Sequence, residues 1–229
     1  MERVWITPSS DVEGSLAIIP QLKLPDGAIV RSEHGTDVGW LSTGPVDTHL
    51  WQWLLDVYPR SGLWPVWASG LSGDIQRPWL LQELDGMRGE PGDPTTILGT
   101  LAPPVVELPP ELEVTQHSEH LLLVPARRPA DVPWKLGWLG PTNYDLTGDQ
   151  LTAVLRSWED RFGAYLIALG FDTMMVEATR SLERCPIDHL MAIGAEHAAF
   201  DPDLLGDAEL EDYADVWLPT ARRWEFWWD

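Results

Sequence analysis

Cysteine is almost absent from this chain: Cys185 stands alone among 229 residues. An internal disulfide framework and a multi-cysteine zinc site are thereby excluded. Lysine is nearly as scarce, since only Lys23 and Lys135 among the 15 basic residues are lysines. Long apolar runs are missing too, and none approaches the roughly 18 residues that a membrane span needs. The start, Met1-Glu2-Arg3-Val4-Trp5, has no basic stretch followed by an apolar one, so no signal peptide is expected. These absences together predict a cytoplasmic protein with no membrane association.

Positive charge is the largest deficit. Fifteen basic residues face 36 acidic ones, for a formal net charge of −21. Phosphate polyanions are repelled at long range, which disfavours nucleic acid as a partner. A basic protein partner is attracted and steered by the same field. The plainer reading is that acidity keeps a tryptophan-rich protein soluble. Both halves are acidic, so neither is a charged tail. The familiar nucleotide and nucleophile motifs are also missing: no G-x-x-x-x-G-K-[ST], no G-x-G-x-x-G and no G-x-S-x-G. No cofactor is implied, and the oligomeric state is left open.

What the chain does have is tryptophan, 14 of them, within an apolar content of 44%. At this length it can bury a core without staples. The scarcity of Lys beside abundant Ala, Gly, Pro and Arg fits a GC-rich bacterial genome.

Local patterns predict an α+β fold: a mixed, mainly antiparallel sheet with helices packed against it, in two closely packed lobes. Leu16-Ala17-Ile18-Ile19 and Ala28-Ile29-Val30 read as paired strands around the turn Leu24-Pro25-Asp26-Gly27. A helix begins near Asp47 or Thr48 and stops before Pro59. Leu63 to Trp67 reads as a strand, and Pro65 suggests an edge position or a strand start. Residues 86–118 are rich in Pro and Gly and read either as a linker or as a surface loop within one domain. On the first reading the lobes are 1–115 and 116–229.

The second half is more regular. Leu121 to Val124 is a buried-strand pattern. Thr147 and Gln150 have capping-box spacing. Leu151, Val154, Leu155, Trp158 and Phe162 then form one apolar stripe, and Gly163 suits the residue past the helix end. Tyr165 to Ala178 reads as one broken strand or as a hairpin, with the break at Gly170-Phe171-Asp172. Helices are expected from Pro186 and over about 208–218. Trp224, Phe226 and Trp228 share one face of a terminal strand.

Several of these segments carry a resemblance. Leu155-Arg156-Ser157-Trp158-Glu159-Asp160-Arg161-Phe162-Gly163-Ala164, Gly170-Phe171-Asp172-Thr173, Ala195-Glu196-His197 and Phe226-Trp227-Trp228-Asp229 follow one another in order. Over about residues 120–229 the chain resembles the bacterial family known as domain of unknown function 4253. The resemblance implies a cytoplasmic, actinobacterial-type protein and implies no activity.

The polar members of those segments are the candidate site. Glu159, Asp172, Glu196 and His197, if they converge, suit acid–base or metal-assisted chemistry, with Arg161 beside them to bind. The competing expectation is that Glu159 and Arg161 make surface or interlobe salt bridges and that His197 borders the apolar stripe as a hydrogen-bonded packing residue. Asp201, Asp203, Asp207, Glu209 and Asp212 fall at EF-hand calcium-loop positions, with Gly206 at the sixth. Leu205 supplies no ligand at the fifth position, and Asp212 is shorter than the usual Glu, so the match is weak. Cys185 precedes a helix start, but no histidine is placed by sequence to serve as its base. Trp53, Trp67 and Trp79 are the tryptophans expected at the surface, where they would act as binding anchors.

Three functions follow. The first is an acidic binding protein, immunity-type or regulatory, that engages a basic protein. The second is a small hydrolytic or metal-assisted enzyme with a Glu/Asp/His cleft. The third is a small-molecule sensor with a Trp-lined pocket.

Overall fold

The computed structural model describes residues 2–7, 9–105, 111–114 and 118–228. In chain order the strands are β1 (Glu2–Trp5), β2 (Gly27–Arg31), β3 (Asp37–Ser42), β4 (Val46–Asp47) and β5 (Leu63–Ala68). They continue with β6 (Glu111–Val114), β7 (Ser118–Pro125), β8 (Ala164–Leu169), β9 (Thr173–Ala178) and β10 (Arg223–Trp227). The helices are α1 (Thr48–Ser61), α2 (Thr95–Leu98), α3 (Val132–Leu136), α4 (Gly148–Phe162), α5 (Ile187–Phe200) and α6 (Leu210–Asp212). A π-turn, Tyr213–Trp217, continues α6.

An eight-stranded sheet organises the molecule, in the order β10-β9-β8-β5-β7-β3-β2, with β4 also paired to β7. Every pairing is antiparallel except β5 with β8. The predicted α+β class, with its mixed and mainly antiparallel sheet, is therefore what the structure shows. A separate ribbon joins β1 to β6. Both halves of the chain feed the large sheet: β7 lies between β3 and β5, and β5 lies between β7 and β8. One buried apolar cluster runs through all of it, from Val30 and Trp40 to Phe226 and Trp228.

The helices form where local chemistry says they should. In α1 the Asp47 side chain accepts from Leu50 N at 3.1 Å, which satisfies one of the first-turn donors. Trp51, Leu54, Leu55 and Tyr58 form its buried face. Pro59 lies inside the last turn rather than beyond it, and Gly62 ends the helix at φ 63°. Glycine reaches that left-handed conformation without a Cβ clash. In α4 the Thr147 N–H donates to Gln150 Oε1 at 2.9 Å. The stripe predicted from Leu151 to Phe162 is buried, and Gly163 at φ 59° returns its N–H to Glu159 O and Trp158 O.

Several expectations need correction. Leu16–Gln21 is a 3-10 helix, and β2 pairs instead with β3. Ser15 Oγ accepts from Ala17 N at 3.3 Å, and Pro20 has no donor for a ladder. Pro65 lies in an inner strand rather than at an edge. The ladder to β7 runs the full length of β5, but the β8 ladder is confined to Trp67 and Ala68. Pro65 is thus paired on one side only, and its carbonyl accepts from Trp51 Nε1 at 3.3 Å.

The Pro- and Gly-rich stretch is strapped onto the fold at 102–105. Ala102 O accepts from Arg161 Nη1 at 2.9 Å, Pro103 O is 2.6 Å from His189 Nε2, and Val105 N donates to Arg161 O at 3.0 Å. The junction at 115–116 lies outside the described residues. The expected 208–218 helix is only the single turn of α6 followed by the π-turn.

The α4 and α5 layer covers one face of the β10 end. Trp158 of α4 stacks on Phe226 at 5.4 Å and meets Trp224 edge-on at 5.7 Å. Phe200 of α5 meets Phe226 and Trp228. Along β10 the exposure alternates, with Trp224 and Phe226 buried and Glu225 and Trp227 exposed. Burying one such aromatic contributes roughly 1.5–3 kcal/mol. No helix among the described residues is long and apolar enough to cross a membrane.

Candidate functional site

Helix geometry separates the predicted carboxylates at once. Successive residues turn about 100° around an α-helix, so Glu159 and its neighbour Trp158 cannot share a direction. Positions 156, 159 and 160 present to the loop before α3, and positions 158 and 161 present to α5.

On the first side, Arg128 Nε reaches Glu159 Oε2 at 2.8 Å, and its Nη2 reaches Asp160 Oδ1 at 2.7 Å. The Ala130 N–H donates to Glu159 Oε1 at 2.6 Å. Arg156 pairs with Asp131 at 2.7 Å. Burial pushes the Glu159 carboxyl up, to about 8, against the opposing pull of Arg128 and the Ala130 N–H.

On the second side, Glu196 is fully enclosed. Arg161 holds it as a fork, Nη1 to Oε1 and Nη2 to Oε2, both at 2.7 Å. Trp158 Nε1 donates to Oε2 at 2.8 Å, and the Ala102 N–H donates to Oε1 at 2.5 Å. Two parallel charge-assisted bonds plus two neutral donors satisfy this carboxylate completely.

His197, the next residue, is buried among Trp158, Trp224, Phe226 and Tyr213. Its Nδ1 lies 2.9 Å from Tyr213 Oη. Burial, with the Arg161 charge second, lowers its pKa to about 3, so the imidazole is neutral at ordinary pH. Asp172 sits apart, in the β8–β9 turn, and accepts from Trp227 Nε1 at 3.3 Å.

The predicted cleft is therefore not assembled. Arg161, Glu196 and His197 are brought together in the core, whereas Glu159 and Asp172 each have different partners elsewhere. The countercharge Arg128 was not foreseen, and nothing in its local sequence marks it.

The calcium-loop reading also fails on geometry. Asp201 is buried, with Oδ1 accepting from Asp203 N and Oδ2 from Trp227 N, each at 3.0 Å. Asp203 accepts from Tyr144 Oη. Among the described residues no group of three His, Cys, Asp or Glu is arranged to hold a metal. Two carboxylates are thus turned toward the chain's own donors, and Asp207, Glu209 and Asp212 do not gather with them.

Of the three surface tryptophans expected, Trp53 is exposed, but Trp67 and Trp79 are buried. Trp67 stacks on Trp51 at 5.7 Å, and Trp79 Nε1 donates to Ser69 O at 2.8 Å. Each had a helix or turn to pack against that strand alternation does not reveal. Cys185 lines a cavity of about 590 Å³ together with His189, a neighbour the sequence did not suggest. Burial pushes the Cys185 thiol up, away from the thiolate.

An open feature lies on the far side of α5. A cavity of about 650 Å³ opens between α6, the π-turn and β10. Leu204, Ala208, Val216, Trp217 and Trp224 contribute apolar wall, and Asp212 and Glu225 contribute charge. Val216 and Trp217 are 65% and 68% exposed at its mouth. Arg223 also lines it, but its Nε faces Glu177 Oε2 at 3.3 Å. The signal was present in the sequence as two large apolar residues inside an acidic run: from Cys185 to Ala221 there are nine acids and no Lys or Arg.

The fold and this site define an α+β protein with an acid-edged apolar cavity. Residues 120–229 match the family model described as domain of unknown function (DUF4253). No curated protein and no solved structure matches it.

Proposed function

We propose that the protein is a non-enzymatic binding protein, of immunity or regulatory type, whose acidic face engages a basic protein partner. The observation that carries this reading is the exposed Val216–Trp217 pair within a run of acids that includes Glu209, Glu211, Asp212 and Asp215. Exposed apolar residues ringed by one sign of charge are what an interface presents before it is covered. The charge steers a basic partner and the apolar centre holds it.

The test is affinity capture at low salt, with the wild-type chain beside Trp217→Ala. A partner richer in Lys and Arg than in Asp and Glu should be retained by the wild type, weakened by the variant and released as salt rises. Failure to retain any such partner at low salt would remove the reading.

A small-molecule sensor is the second reading, favoured by the cavity's volume of about 650 Å³ and its tryptophan wall. Such dimensions lie within the range of ligand pockets. A hydrolytic or metal-assisted enzyme needs Glu159, Asp172, Glu196 and His197 in one cleft. Their separate partners, Arg128, Trp227, Arg161 and Tyr213, lend that reading no support.

A further inference from the structure

Resting on that reading of the acidic face, we infer that the cavity between the π-turn and β10 is an anchor site: it takes one bulky apolar side chain from a short basic segment of the partner. Three independent features converge on it.

The first is volume with an apolar wall. Leu204, Leu205, Ala208, Val216, Trp217 and Trp224 enclose about 650 Å³, enough for a large side chain and the main chain that carries it. The second is charge. Asp212 and Glu225 belong to the wall itself, and neither is paired with a cation among the described residues. The one basic wall residue, Arg223, is directed to Glu177. A cationic flank on the incoming segment is therefore attracted, and an acidic one is repelled.

The third feature is unfinished hydrogen bonding. The buried side-chain nitrogens that lack a partner among the described residues are Trp224 Nε1 and His197 Nε2. Trp224 is in the cavity wall. His197 packs directly behind it, with ring centroids 4.4 Å apart, and its other nitrogen meets the wall residue Tyr213. A buried donor left without an acceptor costs free energy, and such atoms are rare in native proteins. Trp224 belongs to the wall of the open cavity, while its N–H is enclosed behind that wall. The unfinished bonding therefore lies directly beneath the cavity surface. The anchor meets apolar wall, and its flanking cations meet Asp212 and Glu225.

The test uses the full chain, labelled with nitrogen-15, titrated with tryptophan-free peptides and followed through its indole N–H resonances. The probes are acetyl-Lys-Lys-Leu-Lys-Lys-amide, the same peptide with glycine in place of leucine, and an acidic version with glutamates in place of lysines. Backbone assignment, rather than removal of a core tryptophan, identifies the Trp217 and Trp224 signals. The leucine peptide should bind at least about tenfold more tightly than the glycine peptide, as burial of one large apolar side chain implies. It should shift the indole proton of Trp217 or Trp224, and the acidic peptide should not bind. Ala208→Trp, which fills the exposed side of the cavity without changing charge, should remove the leucine preference. Asp212→Asn combined with Glu225→Gln should weaken both basic peptides.

Equal binding of the leucine and glycine peptides, unaffected by Ala208→Trp, would overturn the anchor site while leaving a basic partner in place. Absence of binding by either basic peptide would overturn both. Binding of the leucine peptide with no response at Trp217 or Trp224 would place the contact elsewhere and overturn the anchor site alone.

Discussion

Glu196 and His197 are consecutive residues of α5, equally buried, and oppositely provided for. Glu196 receives Arg161 twice, Trp158 once and Ala102 once. His197 has Tyr213 on one nitrogen and nothing on the other among the described residues. Glu196 belongs to the side of α5 that meets α4 and the strap at 102–105. His197 faces β10 and the π-turn, where the cavity opens. The difference separates two reasons for placing polar groups inside a protein. A carboxylate with every lone pair answered is part of the scaffold, because it has nothing left to offer a ligand. A nitrogen without a partner beside a cavity is where the scaffold is incomplete.

The largest effect should come from breaking the complete side. Arg161→Ala leaves the Glu196 carboxylate buried and unpaired, and it should lower unfolding free energy by about 3–5 kcal/mol. A urea melt of wild type and variant measures it. Next comes Arg128→Ala, which strips the α4 carboxyl group Glu159 of its cation. Arg128 is 30% exposed on its side chain against 11% for Arg161. Water can therefore replace part of what is lost, and about 1–3 kcal/mol is expected in the same melt. A larger loss for Arg128→Ala than for Arg161→Ala would invert the comparison.

The incomplete side should behave differently. His197→Phe removes an imidazole that has one partner, in a cage of aromatic rings, and at pH 7 it should cost no more than about 1.5 kcal/mol. Its clearer signature is in acid. The imidazole takes a proton near 6.5 in the unfolded chain but only near 3 in the folded one. Between those values the unfolded state binds more protons, so stability falls as pH falls through that window. The contribution of His197 is complete above about 6.5 and lost toward 3. The variant should therefore show a flatter decline in stability over that range, read from urea midpoints at successive pH values. An unchanged slope would show that the ring is not held neutral. The smallest effect belongs to Trp217→Ala at the cavity mouth, which should change stability by less than about 0.5 kcal/mol while weakening partner capture.

How much of this was legible in the chain depends on range. The capping pair Thr147 and Gln150, the α4 stripe, the left-handed Gly163 and the alternation of Trp224, Phe226 and Trp228 are all local signals, and each reappears in the structure. The strand order is not local. Pro65 reads as an edge or strand-start residue, and the short reach of the β8 ladder explains why it tolerates an inner strand. Leu16 to Ile19 shows that a β-prone run yields to a capped 3-10 turn when a proline follows. For the site, the residue types were right and the grouping was wrong. Side-chain chemistry cannot say that Glu159 will meet an arginine 31 positions away while Glu196 meets one 35 away. The cavity escaped because much of its wall comes from a π-turn and irregular backbone, which carry no periodicity and left only an apolar pair in an acidic run as a signal.

The placement of β5 has a kinetic side. Trp64 of that strand donates its indole N–H to Leu166 O at 2.8 Å, across 102 positions of chain. Contacts of that span require loop closure before they return any stabilisation, so the parallel β5–β8 seam should be among the last parts of the sheet to form. On a ribosome, which releases the chain from its N-terminus, β5 emerges well before β8 exists. Until then one flank of a strand with two tryptophans and a valine has open hydrogen-bonding groups, the condition under which nascent chains pair with the wrong neighbour. Refolding yield should accordingly fall steeply with protein concentration, and Pro65, which offers no N–H to such a neighbour, is placed to limit the damage.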